Sequence, residues 1–392
     1  MGFFRKTGRV LRREWGRIRK YPIYPTLMII LPVISFLFFA AVFGEGTPRD
    51  MPIAVLDEDH SPLSRQLASM IDATPAAMVS YDIQDMEQGE RMMREGKIEA
   101  IVYIPRNFEK DIYSNSPIRV GAYVNGTNIA VNGFLGKDLQ TTVTTFSTGI
   151  QIQTLMKKGL SEKQAYNQAM PIYFDRHLLF NPWVNYGYFL MPSFMPMMLL
   201  IFTILLTVFA IGSELKNATA GEWMAAAGGE IWPALIGKMI PYTGAMFLMS
   251  LLMNTIMYKW VGVPLNGSAA LLILAGFLFV LSYQSIGVLI ISVLSNLRLS
   301  LSIAGGYSVL AFTFSGLTFP LMAMDWYVVA FSRIFPFTFY TDVFIDQAMR
   351  GAPVIYSIHD LGWMTVVFIL LPLLCLPRLK KIATNETYWR RM

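Results

Sequence analysis

The sequence predicts an α-helical polytopic membrane protein with six transmembrane helices and an inserted α/β extracytoplasmic domain. Three observations predict it: a chain 54% hydrophobic and only 15% charged, six uncharged apolar runs near spanning length, and a long polar interval after the first run. That much apolar surface exceeds what one soluble core can hide, so lipid must solvate much of the chain. A hydrocarbon core of about 30 Å takes roughly 20 apolar residues as a helix.

Residues 1–22 place Phe4, Val10, Leu11, Trp15 and Ile18 among basic residues at helical spacing, which predicts an amphipathic elbow helix lying along the inner surface. The first span follows at 23–43. It is full length and no small-residue cleavage site follows it, so it reads as an anchor rather than a removed signal. The second span is expected at 183–211, beginning at Trp183. Spans three to six fall within 239–376, at 239–258, 269–294, 299–323 and 361–376, with a tail at 377–392.

Orientation follows from Lys and Arg, which cytoplasmic segments retain. Arg5, Lys6, Arg9, Arg12, Arg13, Arg17, Arg19 and Lys20 precede the first span, opposed by Glu14 alone, and Arg378, Lys380, Lys381, Arg390 and Arg391 follow the last. Both termini are therefore expected in the cytoplasm, and six crossings satisfy both. The net charge of +6 is then a topology signal that membrane lipid headgroups answer, and no nucleic-acid partner is needed.

The outer domain, 44–182, alternates strands and helices. Strands are expected at 51–57, 77–81, 98–105 and 118–125. Helices are expected at 61–73, capped by Ser61 with Pro62 at its first position, and after Asp85. This alternation implies a small α/β layer. A long Thr- and Gln-rich helix at 130–158 and another at 161–169 lead back to the second span. Cys375 is the single cysteine, so no intrachain disulfide forms, and His60, His177 and His359 lack metal-ligand spacing.

The chain contains no G-x-x-x-x-G-K-[ST] phosphate loop, so ATP and Mg, if used, would be held by another subunit and this chain would bind no cofactor. The spans are nearly free of ionisable groups, which disfavours ion coupling. Between spans two and three, residues 212–238 set Glu214, Lys216, Glu222, Glu230 and Lys238 among small residues, and 231–238 reads as a short helix parallel to the membrane. From the residues alone, a solvated loop accounts for this segment as well. Thr203, Thr207, Ser308, Thr313 and Ser315 offer uncharged polarity for a translocation path, or bond to their own helix backbones; Met195, Met197 and Met198 add adaptable apolar surface. At 324–350 aromatic residues are interrupted by Arg333, Asp342, Asp346 and Arg350, too many charges for a spanning helix. Two half-helices dipping into the outer leaflet fit this pattern.

These features together resemble the permease subunits of type-2 ATP-binding-cassette (ABC-2) exporters, in the branch with a large extracytoplasmic domain between the first two spans. The family's acidic loop with a Gly-Thr pair is similar to Glu214, Thr219 and Glu222, although Ala218-Thr219 replaces Gly-Thr. Its outer pattern is similar to Ser315, Gly316, Pro320, Trp326, Pro336, Phe337, Thr338, Asp346, Arg350 and Gly351. The resemblance implies ATPase-coupling residues at Glu214, Lys216, Thr219, Glu222, Trp223, Ile231 and Lys238, and an outer gate at Pro320, Phe335, Pro336 and Phe337. It implies a transport subunit without its own ATPase site, exporting a hydrophobic or amphipathic small molecule such as a drug or lipid. The implied partners are ABC ATPase subunits, a second permease as homodimer or heterodimer, and a periplasmic adaptor. The alternative reading is a membrane-anchored extracytoplasmic ligand-binding or sensory module that transports nothing.

Overall fold

The computed structural model describes residues 2–44, 46–114, 116–172, 176–182, 184–317 and 319–390. The chain divides into two compact units, Met1–Gly46 with Leu179–Met392, and Thr47–Leu178.

The first unit is helical. It begins with α1 (Phe3–Lys20), then α2 (Ile23–Phe43), and resumes with α8 (Tyr186–Lys216), α9 (Ala220–Ala226), α10 (Ile231–Val261), α11 (Ala269–Leu294) and α12 (Leu297–Thr313). A bent pair, α13 (Trp326–Ser332) and α14 (Pro336–Arg350), precedes α15 (Val354–Thr384). Among the described residues, α2, α8, α10, α11 and α15 are long and apolar enough to cross a membrane. The expected fifth span is shorter than its apolar run. Helix α12 ends at Thr313, and Ser315 and Gly316 turn the chain before a 3-10 turn at Leu321–Ala323. At 17 residues α12 is about 25 Å long, the lower limit for spanning.

Two other boundaries differ from expectation for identifiable reasons. The short helix expected at 231–238 is the first two turns of α10. Pro233 sits in the first turn, where a missing N–H breaks no helical bond, and the charge on Lys238 is met inside the protein. The last helix runs well past 361–376 at both ends, into the basic residues Arg378, Lys380 and Lys381. Trp183, the expected start of the second span, and Arg391 in the tail lie outside the described residues, as does Thr318 in the outer motif.

The second unit is an α/β layer. Its strands are β1 (Met51–Asp57), β2 (Ala77–Asp82), β3 (Ala100–Ile104) and β4 (Gly121–Val124), in the order β2-β1-β3-β4. Strand β1 pairs in parallel with β2 and β3, and β4 is antiparallel to β3. The crossovers are α3 (Pro62–Asp72) and α4 (Met86–Arg94); α5 (Phe108–Tyr113), α6 (Ile129–Lys157) and α7 (Glu162–Ala169) follow. Ser61 accepts the Ser64 amide at 3.1 Å and Asp85 the Gln88 amide at 2.6 Å, so both crossover helices start where their caps dictate. As expected of a central parallel strand, β1 buries both faces. Ile53 and Val55 pack with Leu67, Ile71, Leu135 and Phe146, while Ala54 and Leu56 meet Ile83, Ile98 and Ile101 on the other side.

Candidate functional site: a buried ionic junction and a broken helix

Helix α1 carries its one acid inward. Val10, Glu14 and Ile18 lie four residues apart on one face and are all buried, while Phe4 and Trp15 face outward. The contact with α10 is close: a Cβ on Gly237 would lie 2.7 Å from the Thr7 carbonyl oxygen and 2.8 Å from the Val10 Cβ. Glycine at that position lets the two backbones meet.

Around this contact the ionic groups form one network. Glu214, near the C-terminal end of α8 and fully buried, accepts hydrogen bonds from Arg13 (Nη2 to Oε2, 3.0 Å), Arg17, Lys238 (2.9 Å) and the Thr219 hydroxyl. Glu14, equally buried, accepts from Lys238 Nζ at 2.6 Å and from the Tyr242 hydroxyl. Arg17 also donates to Tyr24 Oη at 3.1 Å and Ser213 Oγ at 2.9 Å. The two buried carboxylates thus face three cations, and Glu222 at the rim approaches Arg13 at 3.4 Å as the third acid. Burial opposes the charges on Arg13 and Arg17, but the hydrogen bonds and charges of Glu214 and Glu14 outweigh it. Both guanidinium pKa values therefore lie above their ordinary value. Isolated charges at such depth would be very costly, so removing one of the buried members strands the others.

The turn after α8 explains the Ala218-Thr219 pair. The Thr219 N–H reaches back to the Glu214 carbonyl at 2.9 Å and Ala218 adopts φ +58°, which is the left-handed closure of a helix C-terminus. That conformation favours glycine, which accounts for a Gly-Thr pair at this turn, and alanine adopts it at some cost in strain. Helix α9 closes in the same manner, with Gly228 at φ +67° and the Gly229 N–H bonded to the Met224 carbonyl at 2.9 Å. Trp223 is buried between the helices. Its Nε1 donates to the Ala234 carbonyl at 3.0 Å, and Lys238 Nζ stands 5.2 Å from its ring centroid.

At residues 326–350 the two helices α13 and α14 meet at 92°. Pro336 opens α14, and the Tyr283 hydroxyl of α11 accepts the Phe337 N–H at 3.1 Å, satisfying a donor the helix start leaves free. The bend is filled with rings: Phe335 lies 5.1 Å from Tyr307 and 5.2 Å from Phe331, and Tyr340 lies 4.6 Å from Phe279. Arg333 pairs with Asp342 at 2.9 Å near the surface. The α10–α11 connection is tied on as well, with the Gly267 N–H donating to the Gln347 carbonyl at 2.7 Å.

Residues 26–376 match the family model described as "ABC-2 family transporter protein". The chain belongs to the ABC-2 transporter family. It is also 23% identical to the probable multidrug ABC transporter permease YbhS of Escherichia coli K12, over 370 residues that cover 89% of this chain and 93% of that protein. The protein of the same name from Escherichia coli O157:H7 matches to the same extent. The helical unit is accordingly that of a multi-pass membrane protein of the ABC-2 transporter family.

Within that family frame, the expected coupling residues separate into two groups. Glu214, Trp223 and Lys238 are buried and bind α1, α8, α9 and α10 to one another, so they present nothing to a partner. Lys216 and Glu222 are exposed, while Thr219 and Ile231 are half-buried. Among the expected path residues, every hydroxyl bonds to a backbone carbonyl three or four residues back: Thr203 to Leu199 O, Thr207 to Thr203 O, Ser308 to Ala304 O, Thr313 to Val309 O and Ser315 to Phe312 O. Of these, only Thr313 is exposed. Of the outer-gate set, Phe335, Pro336 and Phe337 share the ring-filled bend, whereas Pro320 is exposed and opens the 3-10 turn. Arg13, Glu14, Arg17, Tyr24, Ser213 and Tyr242 had no coupling role in the sequence reading. The signal was available in Glu14, a lone acid in a strongly basic amphipathic helix.

Proposed function

We propose that this chain is the membrane subunit of an ATP-driven exporter in a bacterial cytoplasmic membrane. Both termini are cytoplasmic, the α/β unit is extracytoplasmic, and a separate ABC ATPase binds ATP and Mg. Two such permeases, identical or similar, assemble with two ATPases, and a hydrophobic or amphipathic small molecule leaves the cytoplasm or inner leaflet. A periplasmic adaptor above the outer unit completes the scheme.

One observation carries the coupling part of this reading: the elbow helix, α8, α9 and α10 converge on one buried charge network, at whose rim the exposed Glu222 approaches Arg13, with the exposed Lys216 just beyond Glu214 on α8. A push at that rim reaches α1, α8 and α10 together, because moving one of them alone would strand a buried charge. The multidrug description of the relatives supports a small amphipathic cargo.

Charge reversal tests the reading. Lys216→Glu combined with Glu222→Lys should lower co-purification of an ATPase and ATP-dependent export while leaving thermal stability near wild type. Full ATPase retention and full export in the double variant would remove the rim from the mechanism. The sensory alternative draws on a groove of about 610 Å³ in the α/β unit, walled by Phe108, Val143, Phe146 and Ile150. It predicts no associated ATPase at all.

A further inference from the structure

The segment after α15 folds back onto the α8–α9 turn, and none of the roles above uses it. Asn385 starts a tight reversal: its Oδ1 accepts the Thr387 N–H at 3.0 Å and the Thr387 hydroxyl at 2.9 Å, and the Trp389 N–H bonds to the Glu386 carbonyl at 2.9 Å. The last four carbonyls of a helix have no partner within it. Here two such carbonyls, on different helices, are answered by one short segment. The Trp389 indole donates to the Ile382 carbonyl of α15 at 3.1 Å, and the Arg390 N–H donates to the Leu215 carbonyl of α8 at 3.0 Å. Residues 385–390 therefore staple the C-terminal ends of α8 and α15 together.

The staple also reaches α9. A Cβ on Gly221 would lie 3.0 Å from the tip of the Trp389 ring, so the ring rests on a face that glycine leaves bare. Trp223, two residues on, projects about 200° away around the helix and bonds to the Ala234 carbonyl of α10. Two tryptophans thus hold opposite faces of α9. Arg13 adds a hold at its start, through the Thr219 carbonyl at 3.3 Å. Seven residues make a helix only about 10 Å long, too short to persist without such outside contacts. The exposed Glu222 of the rim directly follows Gly221.

We propose that residues 385–390 set the position of α9 for the ATPase, with Trp389 as the positioning residue. Its ring fixes the face of α9 opposite Trp223, and so fixes where Glu222 stands. The role belongs to the ring and to the backbone N–H of Arg390, not to the charge of the segment. It rests on the exporter reading, in which α9 and its rim meet an ATPase.

The test has two arms, both on the full chain. Hydrogen–deuterium exchange over residues 219–229 is read on the permease alone, and ATP hydrolysis recovered per mole of permease is read after purification from native membranes. Trp389→Ala should quicken the exchange by roughly threefold to tenfold, the range of one neutral hydrogen bond, and lower the recovered hydrolysis by a similar factor. Trp389→Phe keeps a ring on Gly221 without the indole N–H and should restore most of both. A chain stopped after residue 384 should behave as Trp389→Ala does, and Arg390→Gln, which keeps the backbone donor, should match wild type. Unchanged exchange in both Trp389→Ala and the shortened chain overturns the proposal, as does quickened exchange with full recovered hydrolysis. A loss in Arg390→Gln equal to that in Trp389→Ala assigns the effect to charge and also overturns it. If wild type carries no ATPase, the exporter reading and this role fall together, and that failure is told apart because the exchange still quickens in Trp389→Ala.

Discussion

The two functional ends of the helical unit are held together by opposite physics. At the junction of α1, α8 and α10, Glu14, Glu214, Arg13, Arg17 and Lys238 meet away from water, and no member can leave without stranding another. At the α13–α14 bend, Phe331, Phe335, Phe337 and Tyr340 fill the space with rings, and the ion pair, Arg333 with Asp342, lies toward the surface. Ring contacts lose energy gradually as they slide, whereas a buried ion network has few intermediate arrangements. The first end moves as a block or breaks, and the second yields by degrees.

Breaking the ionic end should have the largest effect. Lys238→Met leaves Glu14 and Glu214 short of their shared cation and should cost about 3–5 kcal/mol, read as loss of folded protein in heated detergent extracts. If stability survives that change, the network is ornamental and the contrast fails. At the aromatic end, Tyr283→Phe removes only the acceptor for the Phe337 N–H and should cost about 1–3 kcal/mol by the same assay, with ATPase co-purification intact. The turn that closes α8 offers a change of the other sign. Ala218→Gly relieves a left-handed alanine and should stabilise by about 1 kcal/mol. Glu222→Gln sharpens the boundary of the junction: its side chain is 72% exposed, and its loss should cost no more than about 1 kcal/mol.

Much of this architecture was legible in the sequence because lipid imposes simple rules. The apolar runs at 23–43 and 269–294 coincide with α2 and α11, since a helix satisfies every backbone group of such a run within the run itself. The charges scattered through 324–350 likewise required a broken element, and α13 and α14 bend there. What composition could not reveal was pairing. Lys238 looked like the boundary of a span, and it lies within α10 because carboxylates 224 and 24 residues away along the chain neutralise it. Arg13 and Arg17 counted as topology signals, although each also reaches Glu214. The hydroxyls of Thr203 and Thr207 looked available to a ligand, but helical geometry already offers each a carbonyl four residues back.

The order of the junction residues along the chain has a consequence for biogenesis. A ribosome delivers Glu14 first, Glu214 some two hundred residues later, and Lys238, which bridges both carboxylates, after that. Until α10 has docked, Glu14 lacks its Lys238 and Tyr242 donors and keeps only Arg17, 3.7 Å away on its own helix. A chain truncated before residue 238 therefore holds α1 through Arg13 and Arg17 on Glu214 alone, and the elbow helix reaches its full set of bonds only when the third helix of the junction arrives.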